Sequence, residues 1–153
     1  MKTIIVAAPS DLNSCNAVIT AAVMAWPLAE RLRRLALPLL RYDLADLACY
    51  QLLLAVEQQA IVGVAAWDNR TILASPRADG ALVHGLYVLP AEQGQGVGRL
   101  LLADIAARAR QLQRSGLLIK AERVAVGYFE HLGLEPLKIE QPADYPYRFW
   151  QPL

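Results

Sequence analysis

Three glycines at alternate positions, Gly94, Gly96 and Gly98, close a loop that opens on Gln93 and runs into Arg99-Leu100-Leu101-Leu102. Alternate glycines let the backbone bend sharply and leave N–H groups bare for a ligand to approach. The leucines that follow predict a helix. Its first N–H groups have no partner inside it, and its dipole is positive at that end. Loop and helix start together form an anion site, most often one for phosphate. Two side chains near the loop could move protons. His84 is a histidine in a strand, of a type that titrates near neutral pH. Tyr128 carries a phenol on a predicted short helix.

The spacing narrows the kind of phosphate site. A P-loop ends in Gly-Lys-Ser/Thr, where this chain has Gly98-Arg99-Leu100. A Rossmann fingerprint needs a further glycine where Arg99 stands, and no acidic residue follows at the right distance. Ahead of the loop, Leu86-x-Val88-x-Pro90 reads as the apolar end of a strand, which Pro90 stops because it cannot donate to a ladder. Strand, Gln93-x-x-Gly96-x-Gly98 and leucine-rich helix together resemble the pyrophosphate signature of the GCN5-related N-acetyltransferases (GNAT), Gln/Arg-x-x-Gly-x-Gly/Ala. A second segment, Glu122-x-x-Ala125-x-x-x-Phe129-x-x-x-Gly133-Leu134, keeps the spacing of the family's Asn-x-x-Ala-x-x-x-Tyr-x-x-x-Gly-Phe. It departs from that pattern at Glu122, Phe129 and Leu134. Ile61-Val62-Gly63-Val64 resembles the family's third strand. The resemblance covers residues 50–139, and more loosely the whole chain.

The resemblance implies an α/β fold: a mixed, largely antiparallel sheet of six or seven strands flanked by helices. The fourth and fifth strands run parallel and then splay. It implies one GNAT domain over residues 1–153 and acetyl-CoA as co-substrate, with no metal. The pantetheine arm would pair with the backbone of Leu86, Tyr87 and Val88 as an added strand does. Backbone N–H groups of Gln93, Gly94, Gln95, Gly96, Val97, Gly98 and Arg99 would take the pyrophosphate. Arg99 either adds charge there or is simply solvated. The reaction would be direct attack of a primary amine, of a small molecule or peptide, on the thioester. An ammonium must first lose a proton. By strand parity His84 points to the same face as Leu86 and Val88, so it is either the base or a structural histidine. Asp79 and Glu57 are weaker candidates. A backbone N–H near Val88 can stabilise the charge that grows on the carbonyl oxygen.

The family's tyrosine, which can protonate the departing thiolate, is Phe129 here. Phe129 is expected to line the pantetheine wedge as an apolar wall. Tyr128, one residue earlier, would substitute, or water would, or the thiolate would leave unprotonated. The same residue keeps an alternative open: an acyl-CoA-binding module of this fold that catalyses nothing and regulates a partner.

The elements that must hold these residues can be read along the chain. It has 153 residues, 56% hydrophobic and 19% charged, with a formal charge of +1. The charged share is below the usual quarter or so, which suggests a well-buried sheet. The near-zero balance offers no electrostatic case for nucleic acid or an acidic membrane. Cys15 and Cys49 read as two buried free thiols in a reducing cytoplasm, and no CxxC or zinc pattern is present. Pro9 breaks the apolar N-terminal run too early for a signal peptide, and Ala17 to Ala29 is too short to span a bilayer. A homodimer is left open.

Thr3 to Ala8 predicts a strand, followed by a helix from Ser10 to Trp26. A second helix is expected over 28–37, ended by Pro38, with Arg31, Arg33 and Arg34 either solvated or facing an acidic acceptor. Residues 39–48 read as helix or loop. A hairpin joins 50–56 to 60–67, then a polar stretch to Gly80, where Thr71 to Ala74 could be extended, leads to the motif strand 81–89. Apolar residues at 97, 101, 105, 109 and 112 predict an amphipathic helix, with Gly116 as its C-terminal glycine. A strand over 117–121 and a helix over 124–132 follow. Two antiparallel strands, 134–139 and 145–150, close the chain.

Overall fold

The apolar runs are buried on both faces. In β2 (Gln51–Glu57), Leu52 and Leu54 enter one core while Leu53 and Ala55 enter another. A run without polar alternation can be a strand only if both sheet faces are covered. The computed structural model describes residues 1–153. The other strands are β1 (Thr3–Val6), β3 (Ala60–Trp67), β4 (Gly80–Val88), β5 (Gly116–Lys120), β6 (Glu135–Pro136) and β7 (Arg148–Pro152). They form one seven-stranded sheet in the order β1-β2-β3-β4-β5-β7-β6. Every neighbouring pair is antiparallel except β4 and β5.

The helices are α1 (Leu12–Met24), α2 (Glu30–Leu40), α3 (Asp46–Cys49), α4 (Val97–Gln111) and α5 (Val126–His131). α1 covers one face, where Cys15, Ile19 and Val23 pack with Leu54, Val64 and Tyr87. α4 and α5 cover the other, where Leu101, Ile105 and Phe129 pack with Leu53, Val83, Ile119 and Phe149. Each fully buried Leu, Ile or Phe contributes roughly 1.5–3 kcal/mol through burial. Gly63 lets α4 approach β3, since a Cβ there would stand 2.7 Å from Val97 Cγ1.

Several boundaries differ from the pattern-based expectation. α2 starts at Glu30 and continues through Pro38 to Leu40. Pro38 lies in the last turn, where its missing N–H costs a single bond, and Arg41 N–H to Leu37 O at 3.1 Å closes that turn. Residues 39–48 supply only the last turn of α2 and the start of the one-turn α3. The hairpin turn is Gln58-Gln59, both at positive φ, a backbone that Asn-Gly usually supplies. Leu73 does make a short bridge, to Gly80. α4 ends not on Gly116 but on Gln113, at φ 60, with Gln113 N–H on Arg110 O at 2.9 Å and Arg114 N–H on Ala109 O at 3.0 Å. This is a Schellman closure with glutamine in the glycine position. Gly116 instead begins β5 under Trp150, whose indole a Cβ would strike. Leu112, past the helix end, is 45% exposed. The expected strand over 134–139 shrinks to Glu135–Pro136, because Leu137 to Asp144 loop out before β7. Cys15 is buried, and burial pushes its thiol up to about 11, but Cys49 is exposed rather than buried. No helix is long and apolar enough to cross a membrane.

Candidate active site

The parallel pairing of β4 and β5 runs from Gly80 opposite Gly116 to Val83 opposite Ile119 and stops. β4 continues from His84 to Val88 on its β3 side alone. The gap opens into a cavity of about 620 Å³. One wall is β4, at Leu86, Tyr87 and Val88; another is the Gln93–Arg99 loop. The turn after α1, at Trp26 and Pro27, covers one side, and Tyr128, His131 and Leu132 of the α5 region form the opposite side.

The loop has the conformation its glycines allow. Gly94 and Gly96 have φ of 76° and 80°, and open space surrounds both. The first α4 bond is Leu100 N–H to Gly96 O at 2.9 Å, so the N–H groups of Val97, Gly98 and Arg99 find no acceptor in the protein. Their bare N–H groups, the α4 dipole and Arg99 at the rim suit a pyrophosphate. Gln93 Nε2 donates to Val88 O at 3.3 Å, tying the loop to the strand end. Gln95 turns away from the cavity and donates to Ala91 O at 3.2 Å.

Tyr128 and Phe129 exchange the places the family spacing suggests. Phe129 is 5% exposed and packs on Phe149 in the core, outside the cavity lining. Tyr128 lines the cavity, with its hydroxyl over Gly98, where a Cβ would collide with it. The two residues are about 100° apart on the helix, so only one can face the gap. Burial raises the Tyr128 pKa and Arg99 partly offsets this, so the phenol stays neutral. Its oxygen sits at the phosphate loop rather than at the inner end of the gap. His131 is exposed and lies at this rim.

His84 does not share a face with Leu86 and Val88. Ala66 pairs with Gly85 and Trp67 with Val83, so His84 is an extra residue in β4, a β-bulge. One inserted residue reverses the parity of everything beyond it. Leu86 and Val88 pack toward α4, while His84 turns toward the α1 side. There Tyr42 Oη lies 2.9 Å from its Nδ1, and Tyr50 stacks on its ring at 4.2 Å. Tyr42 is held from α1 by Asn16, whose Nδ2 donates to Tyr42 O at 2.7 Å and whose Oδ1 accepts from Tyr42 N–H at 2.9 Å. Gly85 makes room for this contact, since a Cβ there would come within 2.6 Å of Tyr42 Oη. Burial lowers the His84 pKa and Asp46 partly restores it. The imidazole is therefore neutral at pH 7 with Nε2 open.

The weaker base candidates stand elsewhere. Glu57 pairs with Lys2 at 3.2 Å, and Asp79 forms the turn before β4. Of the three α2 arginines, Arg33 donates to Met24 O at 2.7 Å and Arg34 pairs with Glu30 at 2.8 Å. Sequence reasoning missed Tyr42, Asp46 and Tyr50. Tyr42 and Asp46 fall in the segment read as helix or loop and Tyr50 in the first strand of the hairpin, and no local pattern marks the three as neighbours of His84.

The acetyltransferase (GNAT) domain family model matches residues 40–145. A search of curated proteins finds no match. Among solved structures, the chain is similar to PaiA N-acetyltransferase from Thermoplasma acidophilum in complex with coenzyme A. The TM-score is 0.78 at 14% identity, over 100% of this chain and 99% of that one. A GNAT family acetyltransferase from Brucella melitensis in complex with acetyl-CoA gives 0.67 at 20% identity, covering 99% and 88%. The ribosomal-protein-S18-alanine N-acetyltransferase from Escherichia coli gives 0.61 at 19%, covering 98% and 90%. At such identities these structures speak for the fold, while the family match spans more than half of the chain: this protein belongs to the GNAT acetyltransferase family.

Proposed function

We propose that the protein is an acetyl-CoA-dependent N-acetyltransferase acting on a primary amine. The observation that carries this reading is the cavity where β4 leaves β5, continuous with the unpaired N–H groups of Val97 to Arg99. Acetyl-CoA supplies an activated acyl thioester. The exposed edge of β4 from Leu86 to Val88 takes the pantetheine amides as a strand would, and the Gln93–Arg99 loop takes the pyrophosphate.

This arrangement aims the thioester at the inner end of the gap, where the bulge lies. His84 accepts the proton that an ammonium must lose. For Nε2 to receive it, the ring's own proton sits on Nδ1, and Tyr42 Oη at 2.9 Å is the acceptor available to it. The alternative, a silent acyl-CoA-binding module, rests on Phe129, which places no phenol at the inner end of the gap. With its hydroxyl over Gly98, Tyr128 acts on the cofactor's phosphate end, and the thiolate departs without it.

The test is titration calorimetry with CoA and acetyl-CoA, then acetyl-CoA turnover across a panel of amines. Micromolar binding with turnover of at least one amine is expected. Absence of heat with either ligand removes the cofactor assignment. Binding without turnover of any amine selects the silent module.

A further inference from the structure

The segment from Tyr42 to Tyr50 wraps around His84. Tyr42 lies in the loop before α3, Asp46 is the first residue of α3, and Tyr50 follows the helix in extended backbone. Tyr42 meets the Nδ1 edge of the imidazole and Tyr50 covers one ring face. The two tyrosines also touch each other edge to face, with ring centroids 6.4 Å apart. Asp46 lies between them in sequence. Reciprocal bonds with Asp43, Asp43 N–H to Asp46 Oδ2 at 2.8 Å and Asp46 N–H to Asp43 Oδ1 at 3.0 Å, hold the turn in place. Tyr50 N–H donates to Asp46 O at 2.8 Å, so Asp46 sits one turn from the ring that stacks on His84, and its charge partly offsets the burial that lowers the His84 pKa. Asp68 Oδ1 accepts from Arg70 N–H at 2.9 Å, and Arg70 Nη1 donates to Ala48 O at 2.7 Å.

We propose that Asp46, Tyr50 and His84 form the acceptor subsite, and that it selects an alkylammonium without a nearby carboxylate. This rests on the acetyl-transfer reading and names the substrate class within it. Asp46 attracts the ammonium to the bulge and favours the charged amine over a neutral or acidic molecule. The Tyr50 ring covers one face of the imidazole and keeps water from that side. His84 Nε2 then takes one proton from the ammonium. The neutral nitrogen's lone pair forms the new C–N bond as the C–S bond of the thioester breaks. The electron pair of that bond leaves on sulfur, and the second proton that the amide nitrogen sheds goes to the departing thiolate, so the products are the neutral amide, the CoA thiol and the His84 imidazolium. An acceptor carrying its own carboxylate would bring a second negative charge against Asp46.

Butylamine and 4-aminobutyrate differ only in a terminal carboxylate, so they isolate this effect. The chain has two histidines, and His84→Gln identifies the imidazole Cε1–H signal of His84 by its loss. The CoA-loaded protein is titrated with each amine while that signal is followed by NMR. Butylamine is expected to shift it saturably and to bind about 5- to 30-fold more tightly than 4-aminobutyrate. In Asp46→Asn, which keeps an oxygen for the Asp43 N–H, that preference is expected to shrink to within about twofold. Equal or tighter binding of 4-aminobutyrate by the wild type overturns the proposal without recourse to any variant. A preference unchanged in a folded Asp46→Asn overturns it too. Turnover reports separately: butylamine that binds as predicted but is not acetylated removes the transferase reading and leaves the subsite. Efficient acetylation of 4-aminobutyrate over butylamine does the reverse.

Discussion

On the α4 side of the sheet the site is made of backbone; on the α1 side it is made of side chains. The phosphate end needs bare N–H groups, positive φ at Gly94 and Gly96, and a helix start. None of these depends on a particular side chain beyond the glycines themselves. The proposed acceptor site at the bulge draws an imidazole from β4, a phenol from the loop before α3, a carboxylate from α3 and a second phenol from the residue after it, with Asn16 of α1 holding Tyr42. A backbone site tolerates wide change around it but no change in its glycines. A side-chain site can lose one member and keep part of its effect, because each group acts partly on its own.

The sharpest break in that contrast is Gly96→Glu. It places bulk and negative charge where phosphate meets backbone and forces a side chain onto φ 80°. Calorimetry should show CoA binding weakened by about a hundredfold or more. Normal binding would put the phosphate elsewhere. Next is His84→Ala, expected to lower the rate about 10- to 1000-fold while leaving the CoA affinity within about twofold. The loss should narrow at high pH, where the amine is already neutral.

The pH profile carries its own sign. Burial holds the His84 pKa below 6.5, so the base form persists through neutrality and is lost only as pH falls through that lowered value. A rate that drops on going from pH 8 to pH 7 through titration of this ring would contradict the assignment. Gly98→Ala should weaken CoA binding about 3- to 30-fold by pushing Tyr128 off the loop. Tyr128→Ala in the same chain should recover part of the loss, and no recovery would mean that the new methyl meets the ligand directly. Tyr128→Phe is the smallest change, expected to cost less than about tenfold in rate. A loss beyond about a hundredfold at normal acetyl-CoA affinity would return the phenol to the leaving thiolate.

The same division explains what could be read from sequence. Gln93-x-x-Gly96-x-Gly98 is legible because a loop of short spacing specifies its own backbone. The sheet was legible because β2, β3 and β4 are runs buried on both faces. The face of His84 was not, because parity counts residues and a bulge adds one. Nothing in Val83-His84-Gly85 marks that bulge except Gly85, whose reason lies in Tyr42, far along the chain. The end of α4 was misplaced for a related reason: Gln113 adopts a left-handed conformation usually left to glycine, while Gly116 answers to Trp150. Long-range contacts, invisible to local pattern, decided both.

Trp150 lies across Gly80 and Gly116, the first register pair of the parallel strands. Both lack a Cβ at the point where the indole crosses them, so the strands are clamped at the vertex of a V. Its arms diverge beyond Val83 and Ile119. In kinetic terms, a cleft whose vertex is fixed is open before any ligand arrives. Association then waits on diffusion and orientation rather than on the sheet parting. The geometry of entry is set by a residue near the far end of the chain that never meets the cofactor.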